Sequence, residues 1–405
     1  MAQSTGRTWR KIMHQSQFRS LAQQTPDALL GLIRLFQEDH RPHKIDLGVG
    51  IFRDDQGLTP VLGAVKAAER ILVEQQDSKS YLGPVGDSGF VDLTARLALG
   101  DDLATSPFLV RLQTPGGNGA LRLAFELLAE ASKDAVVWVG SPTWVNHFPL
   151  IASAGLESRS HRFYDPATLR IDFDGMMADL GSAKSGDVIL LHGCCHNPSG
   201  ATFSSSEWTE LLALCQRQGL LPLIDFAYHG LGDGLEADAA PVRMFVENLP
   251  EAIVAYSCDK NFGMYRDRVG SLFVKATTHA ETDAVRSQLF GTARAMWSMP
   301  PDHGAATCRI ILSSPELRSV WQEELASMRE RINGLRKAVA NSLPQLSAVA
   351  NQRGLFSLLP VSKDAVQLLR EERAIYMAPD GRINIAGLSE ANMPHFVQSI
   401  SGYLS

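Results

Sequence analysis

The feature that most constrains the fold of this chain is an alternation of short apolar runs with segments of helical pattern. One of the intervening helices begins with Ser204 and Glu207 at the spacing of a capping box. Strands that alternate with helices in this way predict an α/β protein whose mainly parallel sheet is flanked by helices. The apolar runs interpreted as strands are Ala135–Gly140, Asp187–His192, Leu220–Phe226, Ala252–Cys258 and Val269–Val274.

The length of the chain predicts more than one domain. Its 405 residues exceed the ~250–300 residues that one hydrophobic core usually supports. A helix predicted from Glu316 to about Leu343 is long enough to link two domains, because apolar residues recur on one of its faces. We expect an N-terminal extension at 1–26, the first part of a small domain at 27–59, a large domain at 60–325 and the rest of the small domain at 326–405.

Shorter patterns predict further elements. The apolar face of the linking helix consists of Met328, Ile332, Leu335 and Val339. The C-terminal part should contain short strands at Leu355–Leu359 and Arg382–Ile385, followed by a last helix near Glu390–Leu404.

The N-terminal 26 residues leave two interpretations open. They carry Arg7, Arg10, Lys11 and Arg19 and no acidic residue, a pattern that superficially fits a transit peptide. Chain termini are commonly loose, so the alternative is a disordered extension with Met13 as an alternative start.

Charge and composition favour a small-molecule ligand. The formal net charge is −6 and the basic residues are scattered, so nothing suggests the one-sided positive surface that nucleic acid or an anionic membrane would need. No apolar run approaches the ~20 residues that span a bilayer. The cysteines form no CxxC pair and their number is odd, which favours a reducing compartment, and we expect the cytoplasm. They are Cys194, Cys195, Cys215, Cys258 and Cys308.

Polar and ionisable side chains follow three of the predicted strands. Ligands of parallel α/β sheets bind at the carboxyl ends of the strands, so these segments predict a binding site. The segments are Gly193 to Gly200, Asp225 to Tyr228, and Ser257 to Gly263 with Arg266 and Arg268 beyond it.

These segments resemble motifs of the class I aminotransferases of fold type I, specifically the aspartate and aromatic amino-acid aminotransferases. The resemblance extends from about Asp27 to the C-terminus. Several separated motifs in the family's order are more specific than any one of them. The resemblance implies the fold of pyridoxal-5'-phosphate-dependent transferases, with a large cofactor-binding domain and a smaller α/β domain. The motifs are His192-Gly193-Cys194-Cys195-His196-Asn197-Pro198-Ser199-Gly200, Asp225-Phe226-Ala227-Tyr228, Ser257-Cys258-Asp259-Lys260-Asn261-Phe262-Gly263, Arg268-Val269-Gly270 and Gly381-Arg382-Ile383-Asn384.

The resemblance assigns catalytic roles to Lys260, Asp225 and Tyr228 and supporting roles to two partners. Lys260 resembles the lysine that holds the cofactor covalently and later acts as a general base. Asp225 resembles the carboxylate that keeps the cofactor's pyridine nitrogen protonated, and His147 resembles its partner. Tyr228 and Asn197 resemble the pair that hydrogen-bonds the cofactor's phenolic oxygen.

The cofactor's phosphate requires hydrogen-bond donors and positive charge. Gly116-Gly117-Asn118-Gly119 precedes a helix predicted over Ala120–Ala129, so backbone N–H groups and the helix dipole can face an anion. With Ser257 and Arg268 this loop resembles the family's phosphate cup. Tyr81 resembles a ligand that the partner subunit of a homodimer contributes, which implies shared active sites.

The resemblance also assigns substrate contacts. Arg382 resembles the arginine that binds the α-carboxylate, and Arg294 resembles the arginine of the other chain that binds a distal carboxylate. Trp144 resembles the aromatic residue that stacks on the cofactor ring beside the substrate, where Asn197 also lies. Gly50 belongs to a segment that resembles the strip closing over substrate.

Several positions depart from the family's usual pattern and bear on substrate choice. Asn118 replaces Thr or Ser in the phosphate loop, and Asp259 replaces a common Ser beside the lysine. Met296, Trp297 and Met299 replace more polar residues after Arg294.

The sequence therefore predicts a ping-pong aminotransferase that moves the amino group of aspartate, glutamate or an aromatic amino acid to a 2-oxo acid such as 2-oxoglutarate. The alternative on the same fold is a lyase or decarboxylase, which would lack one of the two carboxylate-binding arginines. A non-catalytic regulator would need a helix-turn-helix segment, and a nicotinamide-dependent dehydrogenase would need GxGxxG after its first strand. Neither pattern is present.

Overall fold

A computed structural model describes residues 18–23 and 28–404, so the extension expected over 1–26 lies largely outside the described residues. The central feature is a seven-stranded sheet in the order β2-β10-β9-β8-β7-β3-β4. The strands, in chain order from β1 to β13, are Ile45–Asp46, Leu109–Pro115, Val136–Ser141, Glu157–Arg162, Tyr164–Asp165, Arg170–Ile171, Val188–His192, Leu221–Phe226, Ala252–Ser257, Val269–Lys275, Phe356–Leu358, Ile375–Tyr376 and Arg382–Asn384.

The sheet is mainly parallel, as the alternating pattern predicted. Strands β4, β3, β7, β8 and β9 run parallel to one another, whereas β10 is antiparallel to both β9 and β2. The polar segments after β7, β8 and β9 therefore meet at one edge of the sheet. Helices cover the sheet on both faces, and the core that they form is apolar. The fold class predicted from the sequence is confirmed.

Two outer strands were not predicted. The edge strand β4 is polar and largely exposed, so it lacks an apolar run. In β2, the polar residues Arg111, Gln113 and Thr114 interrupt the apolar pattern. Gln113 is nevertheless fully buried, because its amide nitrogen donates to the Pro301 carbonyl at 2.6 Å and its oxygen accepts from Asp87 N at 2.9 Å. Such compensation by distant partners cannot be read from a local sequence window.

The helices agree with the sequence pattern in several places. The capping box of Ser204 and Glu207 is present at the start of α8, and the face of α12 that contains Ile332 and Val339 is buried. The last helix, α14, is shorter than expected. In chain order from α1 to α14 the helices are Ala28–Glu38, Gly63–Gln75, Ser88–Leu99, Asp101–Ala104, Gly116–Ala131, His147–Ser153, Phe173–Leu180, Ser205–Gln218, Leu235–Asn248, His279–Met296, Asp302–Ser313, Pro315–Ser342, Lys363–Arg373 and Met393–Ile400.

Helix α5 begins at Gly116, four residues earlier than the sequence predicted. The glycines suggested a loop, but they form the first turn of the helix. They are glycines because the surrounding space is too narrow for side chains. A Cβ at Gly117 would lie 3.0 Å from Cβ of Ser257, and one at Gly119 would lie 2.7 Å from Pro115. The free N–H groups of this turn therefore lie against the end of β9.

The C-terminal residues form smaller sheets apart from the central one. Strand β1 pairs with β12, and β11 pairs with β13, so residues near the N-terminus join those near the C-terminus. Within the described residues, no helix has the length and apolarity needed to cross a membrane.

Candidate active site

A buried chain of hydrogen bonds leads to Asp225, the penultimate residue of β8. His147 Nε2 lies 3.1 Å from Asp225 Oδ2, and His147 Nδ1 lies 2.8 Å from Thr143 Oγ1. A carboxylate can only accept, so His147 donates through Nε2 to ionised Asp225. Burial raises the pKa of the Asp225 carboxyl, but the His147 hydrogen bond and nearby positive charges lower it more, and the net pKa is below its usual value. The site thus maintains a buried negative charge.

Lys260, which follows β9, lies close to this carboxylate. Burial lowers the pKa of its amine, and the negative charges of Asp259 and Asp225 oppose that shift only in part. Its Nζ lies 5.5 Å from the centroid of the Tyr228 ring. A lysine with a lowered pKa is more readily found as the neutral amine, which is the nucleophilic and basic form.

Two further polar side chains follow the ends of β8 and β7, and the first of them, Tyr228, contacts Lys260. Tyr228 is buried, and desolvation raises the pKa of its phenol, so the hydroxyl keeps its proton. Asn197 is also buried, and its side-chain oxygen has no hydrogen-bond partner among the described residues. An amide so placed is available to a polar group of a ligand.

The N-terminus of α5, Ser257 and Arg268 lie together and form a cradle whose groups could bind an anion. A Cβ at Gly116 would lie 2.6 Å from Arg268 Nη2, so the guanidinium closely approaches the backbone of this turn. Arg268 Nη1 donates to Asp259, which is buried and also accepts from Val269 N at 3.1 Å. Oriented N–H groups, a helix dipole and a guanidinium together suit a phosphate.

A cleft of about 570 Å³ connects the cradle to the lysine. Asn118 lies at its wall, where its side-chain oxygen accepts from Asn146 Nδ2 at 2.6 Å. Trp144 also lines the cleft, and its ring packs edge to face on His147 with centroids 5.3 Å apart. The remaining lining residues are Pro115, Gly119, Arg122, Asp259, Lys260, Arg268, Met296 and Trp297.

Arg382 and Gly50 meet around a third residue, Phe356 of β11. The Arg382 guanidinium lies 4.4 Å from the centroid of the Phe356 ring, and its Nη2 donates to the Gly48 carbonyl at 3.1 Å. A Cβ at Gly50 would lie 2.3 Å from the same ring, so only glycine fits there. Phe356 also contacts Tyr228 edge to face at 6.3 Å. These contacts place Arg382 on the Tyr228 side of the site.

Tyr81 and Arg294 are not brought to this cleft. Both side chains are exposed, and Tyr81 is 91% exposed. Met296 and Trp297, which follow Arg294 by two and three positions, do line the cleft. The indole nitrogen of Trp297 is buried without a hydrogen-bond partner among the described residues.

Three features of the site were not predicted from the sequence: the contact of Thr143 with His147, the position of His192, and the pairing of Asp259 with Arg268. Thr143 lies in the segment before α6 and holds His147, the first residue of that helix, and no periodic pattern signals the pair. His192 ends β7, with its ring 5.3 Å from the His147 ring. The pairing of Asp259 with Arg268 joins residues nine positions apart, and no local pattern signals it.

Comparison with known proteins gives consistent matches over nearly the whole chain. A family model described as aminotransferase class I and II matches residues 42–400. The chain is 50% identical over 378 residues to a tyrosine aminotransferase of Rhizobium meliloti, covering 92% of this chain and 97% of that protein. It is 41% identical over 395 residues to an aspartate aminotransferase of Escherichia coli, covering 96% and 100%.

A solved structure gives a match of the same extent. An aromatic-amino-acid aminotransferase from Burkholderia pseudomallei, described as covalently bound to pyridoxal phosphate, superposes with a TM-score of 0.92 at 36% identity. The superposition covers 96% of this chain and 100% of that one.

Proposed function

Because the chain belongs to the class I and II aminotransferases, a family that uses pyridoxal 5'-phosphate, we propose that it exchanges amino groups between L-amino acids and 2-oxo acids at the cleft around Lys260. The amino donors are aspartate or glutamate and aromatic amino acids, and 2-oxoglutarate is an acceptor. Both half-reactions use one site, in a ping-pong sequence. The observation that carries the proposal is the arrangement of a desolvated lysine, a buried ionised aspartate and an anion cradle along one sheet edge.

The residues of the cleft fit pyridoxal phosphate. The glycine turn that begins α5, with Ser257 and Arg268, would hold the phosphate. Asp225 would pair with the pyridine nitrogen, and Trp144 would cover the ring. The unpartnered amide of Asn197, together with Tyr228, would hold the phenolic oxygen.

Pyridoxal phosphate, when bound, supplies an aldehyde that takes up the amino group and a ring that accepts electrons from the substrate Cα–H bond. The chain's own residues control the proton. Nζ of Lys260, with its lowered pKa, can accept the Cα proton of the substrate and return it. Asp225 holds a negative charge, fixed by His147, which would keep a proton on the pyridine nitrogen of the bound cofactor. Arg382 would bind the α-carboxylate and so orient the Cα–H bond toward the lysine.

We propose that two chains complete each other's sites in a homodimer. Tyr81 would reach the partner's phosphate cradle, and Arg294 would reach the distal carboxylate of the partner's substrate. The exposure of both side chains supports this arrangement, since neither has a role within its own chain's cleft. A C₂ dimer would satisfy both sites at once.

Two further assignments follow the same interpretation. The pairing of β1 with β12 supports a small domain formed by residues 27–59 and 326–405, with the large domain at 60–325. All five cysteines are free thiols, which supports a reducing compartment, the cytoplasm. A lyase or decarboxylase is not favoured, because the relatives of nearly full-length similarity are aminotransferases.

Reduction of the holoenzyme with borohydride tests the assignment of Lys260. Peptide mapping by mass spectrometry should find the cofactor fixed on Lys260, and Lys260→Ala should carry no cofactor mass and no transamination activity. Lys275, whose ammonium donates to backbone carbonyls far from the cleft, provides the matched control as Lys275→Ala. Cofactor mass on any lysine other than Lys260 would overturn the proposal.

A further inference from the structure

A second cavity, of about 410 Å³, lies at the end of β7 between β4 and the helices α8 and α9. It shares no lining residue with the cleft around Lys260. We call it the rear cavity and define it by His161, Phe163, His192, Phe203, Trp208 and Ala237. Its mouth includes exposed residues of both helices, Thr209 of α8 and Ala237 of α9, so a ligand could enter from solvent.

Two imidazoles in the rear cavity lack partners. Nε2 of His161 and Nε2 of His192 are both buried, and neither has a hydrogen-bond partner among the described residues. The His161 side chain is itself only 2% exposed. Buried polar atoms are rarely left unpaired in folded proteins, so Nε2 of His161 indicates that another group occupies the space. A ring nitrogen of His192 lies within 4.8 Å of a His147 nitrogen and an Asp225 oxygen, so His192 also belongs to the active-site network.

The protonation of His161 can be deduced from its other nitrogen. Nδ1 lies 2.7 Å from the Arg162 carbonyl oxygen, which can only accept, so Nδ1 carries a proton. Burial lowers the pKa of this imidazole, so the ring is neutral and carries one proton. Nε2 is therefore a buried acceptor, and it requires an N–H or O–H donor from the occupant.

Aromatic rings form the walls of the rear cavity. Phe163 stacks on His196 with centroids 4.1 Å apart and an interplanar angle of 29°. Phe203 meets Phe163 edge to face at 5.6 Å and Trp208 at 4.8 Å. A flat aromatic occupant could make offset or edge-to-face contacts of the same kind with these rings.

The charges around the rear cavity exclude an anion. Among the described residues, no Lys or Arg lines it, whereas Asp233 and Asp238 do. The Asp238 carboxylate already accepts from the backbone N–H groups of Gly230, Gly232 and Asp233. Asp233 pairs with Arg353 at 2.7 Å, so neither carboxylate is left for a cationic ligand. The lining therefore suits a neutral molecule.

We propose that the rear cavity is a binding site for a small neutral aromatic molecule with one hydrogen-bond donor, such as a phenol or an indole, which donates to His161 Nε2. This site is separate from the cleft of the proposed function, and its binding does not depend on catalysis. An occupant would nevertheless affect the active site, because Thr143 lines the rear cavity and holds His147, the partner of Asp225.

Binding to the intact holoenzyme can be measured by ¹⁹F NMR with 4-fluorophenol and with 4-fluoroanisole, which has the same ring but no donor. The wild-type protein should bind the phenol about fivefold or more tightly than the anisole, as one net hydrogen bond provides. His161→Phe, which keeps a flat ring and removes the acceptor, should abolish this preference.

The location is tested by closing the mouth. Ala237→Phe, on α9, should weaken binding of both probes at least tenfold. Ala280→Phe, at an exposed alanine of α10 outside both cavities, should leave binding unchanged. The proposal is overturned if the wild type binds neither probe, if it binds both equally, or if Ala237→Phe has no effect. Displacement of the phenol by saturating dicarboxylate substrate, without an effect of Ala237→Phe, would place it in the Lys260 cleft and overturn the proposal equally.

Discussion

The residues assigned to the active site lie in two regions that are held in different ways. At the sheet edge, Asp225, Tyr228 and Asn197 are buried, and Asp225 has a partner supplied by its own chain. Tyr81 and the segment after Arg294 lie on the surface, with Tyr81 91% and Met296 40% exposed. Parallel strands and an apolar core position the first region within one chain. The second region has large apolar side chains in solvent, which an additional surface would cover, as the proposed dimer would provide.

Other large apolar side chains are exposed close in sequence to Tyr81 and Trp144. Leu82 is 46%, Val145 72% and Phe148 40% exposed, and Leu82 N lies 3.1 Å from the sulfur of Met299. Loss of a group in the buried region should therefore abolish the chemistry. Loss of a group in the exposed region should change substrate choice, and its effect should appear in the site of the second chain.

Substitution in the buried region should have the largest effect. Asp225→Ala removes the charge that keeps the pyridine nitrogen protonated, and we expect kcat to fall about a thousandfold or more. Exchange of the substrate Cα proton, measured by NMR, should fall to the same extent. Asp225→Glu, which keeps a carboxylate, should retain more activity than Asp225→Asn, which keeps the shape. Near-normal proton exchange in Asp225→Ala would show that the buried region does not have this role.

An intermediate effect is expected in the exposed region. Arg294→Leu removes a charge-assisted hydrogen bond to a distal carboxylate, so kcat/KM for aspartate or glutamate should fall on the order of 10–150-fold. Phenylalanine should stay within a few-fold, because Met296 and Trp297 offer apolar surface at the cleft edge. Equal losses for both substrate classes would make Arg294 structural and remove the basis for dual specificity.

Mixed dimers test whether Arg294 acts in the partner's site. A dimer of one Lys260→Ala chain and one Arg294→Leu chain would contain one complete site. An equal mixture, refolded together, should recover about a quarter of wild-type activity on aspartate, since half of the dimers are mixed. No recovery above the two separate variants would show that Arg294 serves its own chain, and the comparison of regions would lose its second half.

The sequence predicted the buried region better than the exposed one. Strands β7, β8 and β9 are recognisable in the sequence as apolar runs, and Asn197, Asp225 and Lys260 lie at or just after their ends. The edge strand β4 and the buried Gln113 of β2 depend on partners far away in sequence, so no local pattern predicted them. The start of α5 at Gly116 was missed for a similar reason. Glycine disfavours a helix intrinsically, and only the proximity of Ser257 and Arg268 explains why glycine occupies the first helical turn. The assignments of Tyr81 and Arg294 depend on resemblance alone, and no side-chain contact among residues 18–23 and 28–404 bears on them.

The smallest expected effect lies between the two regions, at Asp259. Its carboxylate is 2% exposed and accepts from Arg268, which is 43% exposed in its side chain. Arg268 is therefore bound on one edge by a negative charge, and less of its positive charge is available to a phosphate.

Asp259→Asn keeps the shape of the side chain and an acceptor for Val269 N while it removes this opposing charge. We expect the apoenzyme to bind inorganic phosphate and pyridoxal phosphate about three- to tenfold more tightly, a modest gain because solvent screens the partly exposed guanidinium. Quenching of tryptophan fluorescence can follow both ligands, with Trp144 in the cleft as a reporter. Asp55→Asn, which breaks the pair with Arg331 at 2.9 Å far from the cradle, is the matched control and should change neither affinity. Weaker phosphate binding in Asp259→Asn would mean that the carboxylate serves chiefly to position Arg268, and that the buried region supports the cradle without limiting its charge.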